Sequence, residues 1–198
     1  LEKELSLLES DWPDGAYAAT VWIDHDTVGT KDVKVHLTCT VADDQLTVDL
    51  TGTDDRQELV GVWNTFANSR SYVMTQVVAM LDPAIVKNEG FFQAVEIVIP
   101  EGCIAQPPPN KPAALGSFHP ACEIVEAVCL ALSGIVPERA QPQLYKIGMP
   151  NAVIGFDPHG MMWMDQGVDC RSMDSSAMQG IDGWGSCPVR SARISYLV

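Results

Sequence analysis

"VKVHLTCTVADDQLTVDL", residues 33–50, decides the fold class. Val33, Val35, Leu37, Cys39 and Val41 alternate with Lys34, His36, Thr38 and Thr40, and Leu46, Val48 and Leu50 resume the rhythm after Asp43-Asp44. Successive side chains on a strand point to opposite faces, so strict period two describes strands with one apolar face and one wet face. Half-buried strands of this kind belong to antiparallel sheets, and an Asp-Asp pair suits the turn between them. Just upstream, "AYAATVWID" (16–24) reads as another strand. The first third is therefore predicted to be a meander.

Away from this stretch the period changes. Residues 1–10 have helical spacing (Leu1, Leu5, Leu8), closed by "DWPDG". Residues 68–81 read as a helix with Asn68 or Ser69 as N-cap and Asp82-Pro83 as the stop, with Tyr72, Val73, Gln76, Val77 and Met80 on the face toward the sheet. A turn at Asn88-Glu89-Gly90, a strand over 94–99 and a turn at Pro100-Glu101-Gly102 follow, then an extended "QPPPNKP" (106–112). Pro120 suits the first turn of a second helix through Ser133, carrying Ile124, Val125, Val128 and Leu132. Residues 152–156 and 161–165 are expected to pair across Asp157–Gly160, and glycine-rich "GIDGWGS" (180–186) precedes a last strand, "ARISYLV". The prediction is an α+β fold: a largely antiparallel or mixed sheet with two main helices packed on it. Residues 1–135 form the α+β core, and 136–198 add strands and loops to the same domain. A start without methionine and a stop inside an apolar strand lead us to expect a fragment of a larger subunit.

Composition narrows the function. Hydrophobic residues are 46% and charged residues 19% of the 198, a globular balance. With 12 basic against 26 acidic residues the net charge is −14, which excludes nucleic acid as a partner because no basic stripe is available to neutralise phosphates. No apolar run reaches membrane length, so no membrane partner is expected. Six scattered cysteines without C-x-x-C spacing do not make a zinc site, and read as reduced, packed thiols of a cytoplasmic protein.

Few residues carry chemistry. "DHD" (Asp24–Asp26) has the residue types of a metal site. Alternating faces prevent all three side chains from converging easily, so a solvated turn is expected. His36 falls on the wet face of its strand. His119, in "LGSFHPA" before a helix, is a candidate catalytic residue facing an anion or polar substrate; a capping loop is the alternative. Asn64, with Asn68 and Arg70, is a second candidate that lines a pocket, unless these residues serve as caps. "GIDGWGS" lacks the Lys-Ser/Thr ending of a phosphate loop, and no G-x-S-x-G or H-E-x-x-H occurs.

The order of segments adds to this reading. Pro13-Asp14-Gly15 before a strand, Asp49–Thr53 at a strand end, Asn64, Asn88-Glu89-Gly90, Pro100-Glu101-Gly102 and Pro112-Ala113-Ala114 together resemble the hydantoinase B family. That family includes the matching part of oxoprolinase and the large subunits of acetone and acetophenone carboxylases. The similarity spans roughly 100 residues and thins after residue 135. It implies an ATP-dependent system in which a hydantoinase A-type ATP-binding subunit phosphorylates a small-molecule substrate. The B-type part then opens a cyclic amide, as in hydantoinases, N-methylhydantoinases and oxoprolinases, or carboxylates a ketone, often with a divalent metal. ATP and metal are implied for the whole complex and neither for this chain, because the family's Asp/His metal motif lies upstream of the matched region. Where relatives carry a Gly-Gly-Asn-like segment this chain has "LGSFHP" (115–120), which points to a substrate other than a hydantoin. Two further readings stand beside this one: a non-catalytic assembly or scaffold domain, and a thiol-dependent enzyme.

Overall fold

The structure, a computed structural model, describes residues 12–43, 45–82, 84–113, 119–140, 151–168, 179–180, 182 and 192–197. The helix expected over 1–10 and most of the glycine-rich loop at 180–186 lie outside the described residues.

Strands β1 (Gly15–His25), β2 (Lys31–Ala42) and β3 (Gln45–Asp49) form the predicted meander, and β4 (Val95–Val98) completes a four-stranded sheet in the order β1-β2-β3-β4. The pairings β1–β2 and β2–β3 are antiparallel, while β3–β4 is parallel, so the sheet is mixed. The register keeps the apolar set together: Val21 faces Val35, Ile23 faces Val33, Cys39 faces Val48 and Leu46 faces Val95. A one-residue slip would turn every one of these outward, which is why the alternation fixes the register.

Three helices follow: α1 (Phe66–Met80), α2 (Glu89–Gln93) and α3 (Ala121–Leu132). α3 packs directly on β1 and β2, and α1 packs against α3. Ala121, Ala127, Cys129 and Ala131 are buried on α3, and side chains this small allow close approach on several sides. A second, three-stranded antiparallel sheet contains β5 (Asn151–Phe156), β6 (Met162–Val168) and β7 (Ala192–Leu197), with Phe156 opposite Met162 as the turn at 157–160 predicts.

Three local expectations are corrected. α1 starts at Phe66 and is capped by Thr65, whose side chain accepts from Asn68 N, so neither Asn68 nor Ser69 is the N-cap. Threonine outcompetes them because it alone sits where the backbone is still extended. Asn88-Glu89-Gly90 begins a one-turn helix, with Asn88 Oδ1 accepting from Phe91 N at 3.1 Å, where a plain turn was expected. The proline-rich run bends at Pro109-Asn110, where Asn110 takes φ +74°.

The segment between β3 and α1 supplies core as well as connection. Leu59, Val62 and Trp63 are buried, and the Trp63 indole donates to Leu59 O at 2.7 Å. Gly61 allows this path: its φ is +75°, and a Cβ there would lie 2.3 Å from Thr27 Cγ2. Thr27 cannot easily move away, since its N–H and hydroxyl both donate to Val60 O. Gly61→Ala is expected to destabilise the chain by about 1–3 kcal/mol, from left-handed strain plus overlap. In a Thr27→Ala background the loss should shrink without vanishing, because the φ penalty remains. Urea unfolding of the four variants measures both terms.

Candidate functional site

The chemistry-bearing residues cluster in two places: along residues 51–68 and at the start of α3. In the first cluster carboxylates and hydroxyls are committed to backbone. β3 pairs with β2 only from Thr38 to Ala42, leaving that flank of Lys34 and His36 without a strand. Thr53 and Asp54 take its place. Thr53 Oγ1 accepts from His36 N at 3.1 Å and donates to His36 O at 2.7 Å. Asp54 N donates to Lys34 O at 2.9 Å, and Asp54 Oδ2 accepts from Lys34 N at 3.3 Å. Arg56 clamps the same carboxylate (Nη2 to Oδ2, 2.7 Å) and donates to Asp32 O at 2.8 Å. Burial would raise the Asp54 carboxyl, but the Arg56 guanidinium and the backbone donors outweigh it and hold it below the usual carboxylate range.

Asp26 makes a second such knot. It was expected in a solvated turn, yet it is buried, with Oδ1 accepting from Val28 N and Thr30 N (2.9 and 2.7 Å) and Oδ2 from Val60 N (3.0 Å). Burial pushes its carboxyl up, and the N–H groups of Val60, Thr30 and Val28 bring it down below the ordinary value. Both Asp26 oxygens are thus occupied, and His25 Nδ1 lies 2.8 Å from Asp26 O. "DHD" therefore does not fit a divalent metal, and among the described residues no three His, Cys, Asp or Glu side chains converge. His36 pairs across the outer face of the sheet with Thr20 Oγ1 at 2.8 Å.

Asn64 is buried where the loop enters α1. Its N–H donates to Ile104 O at 2.8 Å, and its Oδ1 accepts from Thr65 N at 2.9 Å and Asn68 Nδ2 at 2.8 Å. Its own buried Nδ2 has no hydrogen-bond partner among the described residues, a cost of roughly 1–3 kcal/mol for a donor removed from water. Ser69 Oγ, one turn on, donates to Ala105 O at 2.8 Å.

The second cluster pairs His119 with Glu123. Nδ1 lies 2.9 Å from Glu123 Oε1; the imidazole is 34% exposed and the carboxylate side chain 0%. This contact fixes the ring at Nδ1 and leaves Nε2 outside the pair. A ring oriented this way suits proton transfer to or from a bound group. His119 stands out in the sequence by its place before a helix, whereas Glu123 does not. The pair joins the residue before the N-cap Pro120 to Glu123 in the first turn of α3.

A groove of about 680 Å³ is lined by Trp22, Lys34, Asp55, Arg56, Glu101 and Cys103 among others. Another of about 680 Å³ runs along α1 and includes Arg70, the third residue of the asparagine-led candidate cluster. Neither Asn64 nor His119 is among the residues lining these two grooves. Among the described residues no hydrogen bond or ion pair joins Asn64 to His119; they lead into two helices that pack on each other. Burial pushes the Cys39 thiol up to about 12 and raises Cys103 as well, so neither is the low-pKa thiolate that a thiol-dependent enzyme needs. Among the described residues no helix is long and apolar enough to cross a membrane.

This chain belongs to the hydantoinase B/oxoprolinase family, whose model matches residues 2–195. It is 27% identical over 127 residues to an uncharacterized protein of Methanocaldococcus jannaschii, a match spanning 63% of this chain and 22% of that protein. Its fold is similar to that of an ATP-dependent caprolactamase from Pseudomonas jessenii, with TM-score 0.69 and 21% identity, over 94% of this chain and 32% of that one. It is also similar to nucleotide-free acetone carboxylase, an enzyme of ATP-dependent acetone carboxylation, with TM-score 0.71 and 18% identity, over 90% of this chain and 26% of that one. The chain thus spans about a fifth to a third of the length of these relatives.

Two outcomes follow from the geometry. The folded Asp26 carboxyl sits below its ordinary value of 3.8, so its stabilisation is complete above that value and is lost as pH falls through the lower folded pKa. Asp26→Asn should melt below wild type at neutral pH, with the gap closing from about pH 4 downward, as calorimetry across pH would show. Native Cys39 and Cys103 should resist iodoacetamide near neutral pH and react once denaturant is added. Rapid native labelling of either would contradict their raised pKa.

Proposed function

We propose that this chain is part of the B-type subunit of an ATP-dependent enzyme that opens a cyclic amide or carboxylates a ketone. The substrate reaches it activated by phosphorylation in an A-type ATP-binding partner. The observation that carries this reading is family membership across residues 2–195. The activities named for the two structural neighbours, an ATP-dependent caprolactamase and acetone carboxylase, support it. Further partners in this reading are a metal-bearing N-terminal half of the same subunit and a small-molecule substrate, with the assembly in the cytoplasm. Residues 1–135 then serve as the core of one domain and 136–198 as its extension.

An amide is a poor electrophile, and phosphorylating its carbonyl oxygen opens its carbon to attack; a ketone is a poor carbon nucleophile, and trapping it as an enol phosphate holds the enol that carboxylation needs. Such a step still needs proton transfer and a dry, ordered site. In our reading His119 supplies the proton transfer through Nε2, with Glu123 holding the ring. Asn64 offers its spare Nδ2–H to an acceptor on the substrate or on an ordered water.

The test is reconstitution with an A-type subunit and a panel of lactams, hydantoins and ketones. Substrate-dependent ATP hydrolysis supports the enzyme reading. His119→Ala should lower kcat by about 10²–10⁴-fold with little change in KM, the signature of lost acid–base assistance. Asn64→Ala should weaken turnover less. Full turnover by the double variant would favour the scaffold reading and remove both residues from the mechanism.

A further inference from the structure

The segment that follows β4 is laced to the loop that leads into α1. Gln57 meets it at two points: its Nε2 donates to Gly102 O at 3.0 Å, and its carbonyl accepts from Lys111 Nζ. Between those points Ile104 O takes the Asn64 N–H, and Ala105 O takes the Ser69 hydroxyl. Asn110, with φ +74°, turns the proline-rich run so that Lys111 comes back to the loop.

Lys111 makes a second contact there. Its ammonium stands 5.0 Å from the centre of the Trp63 ring, and it makes no ion pair among the described residues. A cation over an indole is drawn to the negative face of the ring, more strongly where water is excluded. Trp63 is fully buried, and its N–H donates to Leu59 O at 2.7 Å. The ring is thus held at its edge by Leu59 and on its face by Lys111. In a chain with 26 acidic residues, this ammonium is committed to a carbonyl and a ring.

The next residue along the backbone from Trp63 is Asn64. Its Oδ1 is held by Thr65 N and Asn68 Nδ2, which leaves the buried Nδ2 as the donor to spare. A hydrogen bond weakens steeply as its angle departs from linear, so a spare donor is useful only if its backbone is fixed. We propose that Lys111 is a positioning residue, which fixes Asn64 by clamping the indole of Trp63. The role rests on the reading of Asn64 given above.

Lys111→Met keeps a long apolar stem over the ring and removes the charge, whereas Lys111→Arg keeps a cation that stacks on aromatic faces. In the complex reconstituted with the A-type subunit, Lys111→Met should lower kcat by about tenfold, no more than Asn64→Ala does, with KM changed less than about twofold. Lys111→Arg should recover most of the loss. In an Asn64→Ala background Lys111→Met should cost nothing further, because the group it positions is gone. The Trp63 indole N–H resonance of the isotope-labelled chain reads the clamp without turnover. It should move in Lys111→Met and return toward the wild-type position in Lys111→Arg. Lys111→Gln, uncharged but still a donor, takes the place of a Met variant that does not fold. A wild-type kcat in the uncharged variant, or a loss that adds in full to that of Asn64→Ala, overturns the positioning role and leaves the functional reading intact. An unmoved resonance overturns the clamp itself. A wild-type complex without substrate-dependent ATP hydrolysis overturns the functional reading, and the positioning role with it.

Discussion

β2 has β1 along one side, but β3 covers the other side only from Thr38 onward. A central strand with half of one flank bare would leave buried peptide groups without partners, each costing about 1–3 kcal/mol. The structure closes that flank with side chains as well as backbone: Thr53 serves both groups of His36, and Asp54 both groups of Lys34. Much else hangs on this arrangement. It sets the course of the chain toward Gly61, seats Trp63 in the core and delivers Asn64 to the mouth of α1. Ile104 N donates to Asp54 O and Asn64 N donates to Ile104 O, so the segment after β4 is fastened to the same line.

The acidity of the chain acquires a divided meaning from these contacts. Of the 26 acidic residues, Asp26 and Asp54 act as backbone clips and Glu123 as a buried rest for an imidazole. Each clip joins segments distant in sequence. Asp26 ties the β1–β2 turn to Val60, and Asp54 ties β2 to the region around Ile104. Among the described residues, a histidine is held at one nitrogen, an asparagine keeps a donor to spare, and an arginine and a glutamate face a groove.

Strand alternation over 33–50 revealed the sheet because one buried face imposes period two, and the cross-strand register confirms it residue by residue. α3 was legible to within a residue of each end, since Pro120 and the apolar spacing both mark it. The loop at 51–65 was not legible. Its organisation comes from side chains bonding to strands twenty or more residues away, and no local pattern encodes such pairings. For the same reason Asp26 read as solvated, although its three donors include one from Val60. The candidate site was half visible: His119 stood out by its place before a helix, whereas nothing in the sequence marked Glu123 as its partner. Buried carboxylates are rare enough that sequence patterns favour the exposed reading.

The parallel pairing of β3 with β4 also constrains the order of assembly during synthesis. β1, β2 and β3 can zip up through short turns as soon as they emerge from the ribosome, because each pairs with its sequence neighbour. β4 cannot join until the whole span carrying α1 and α2 has been made and folded back, since Leu46 meets Val95 and Val48 meets Ile97. In the interval the open edge of β3 offers unpaired peptide groups and the apolar Leu46 and Val48 to any neighbouring chain. A translational pause between codons 50 and 95 would be expected to lower the soluble yield, measurable with synonymous rare-codon variants.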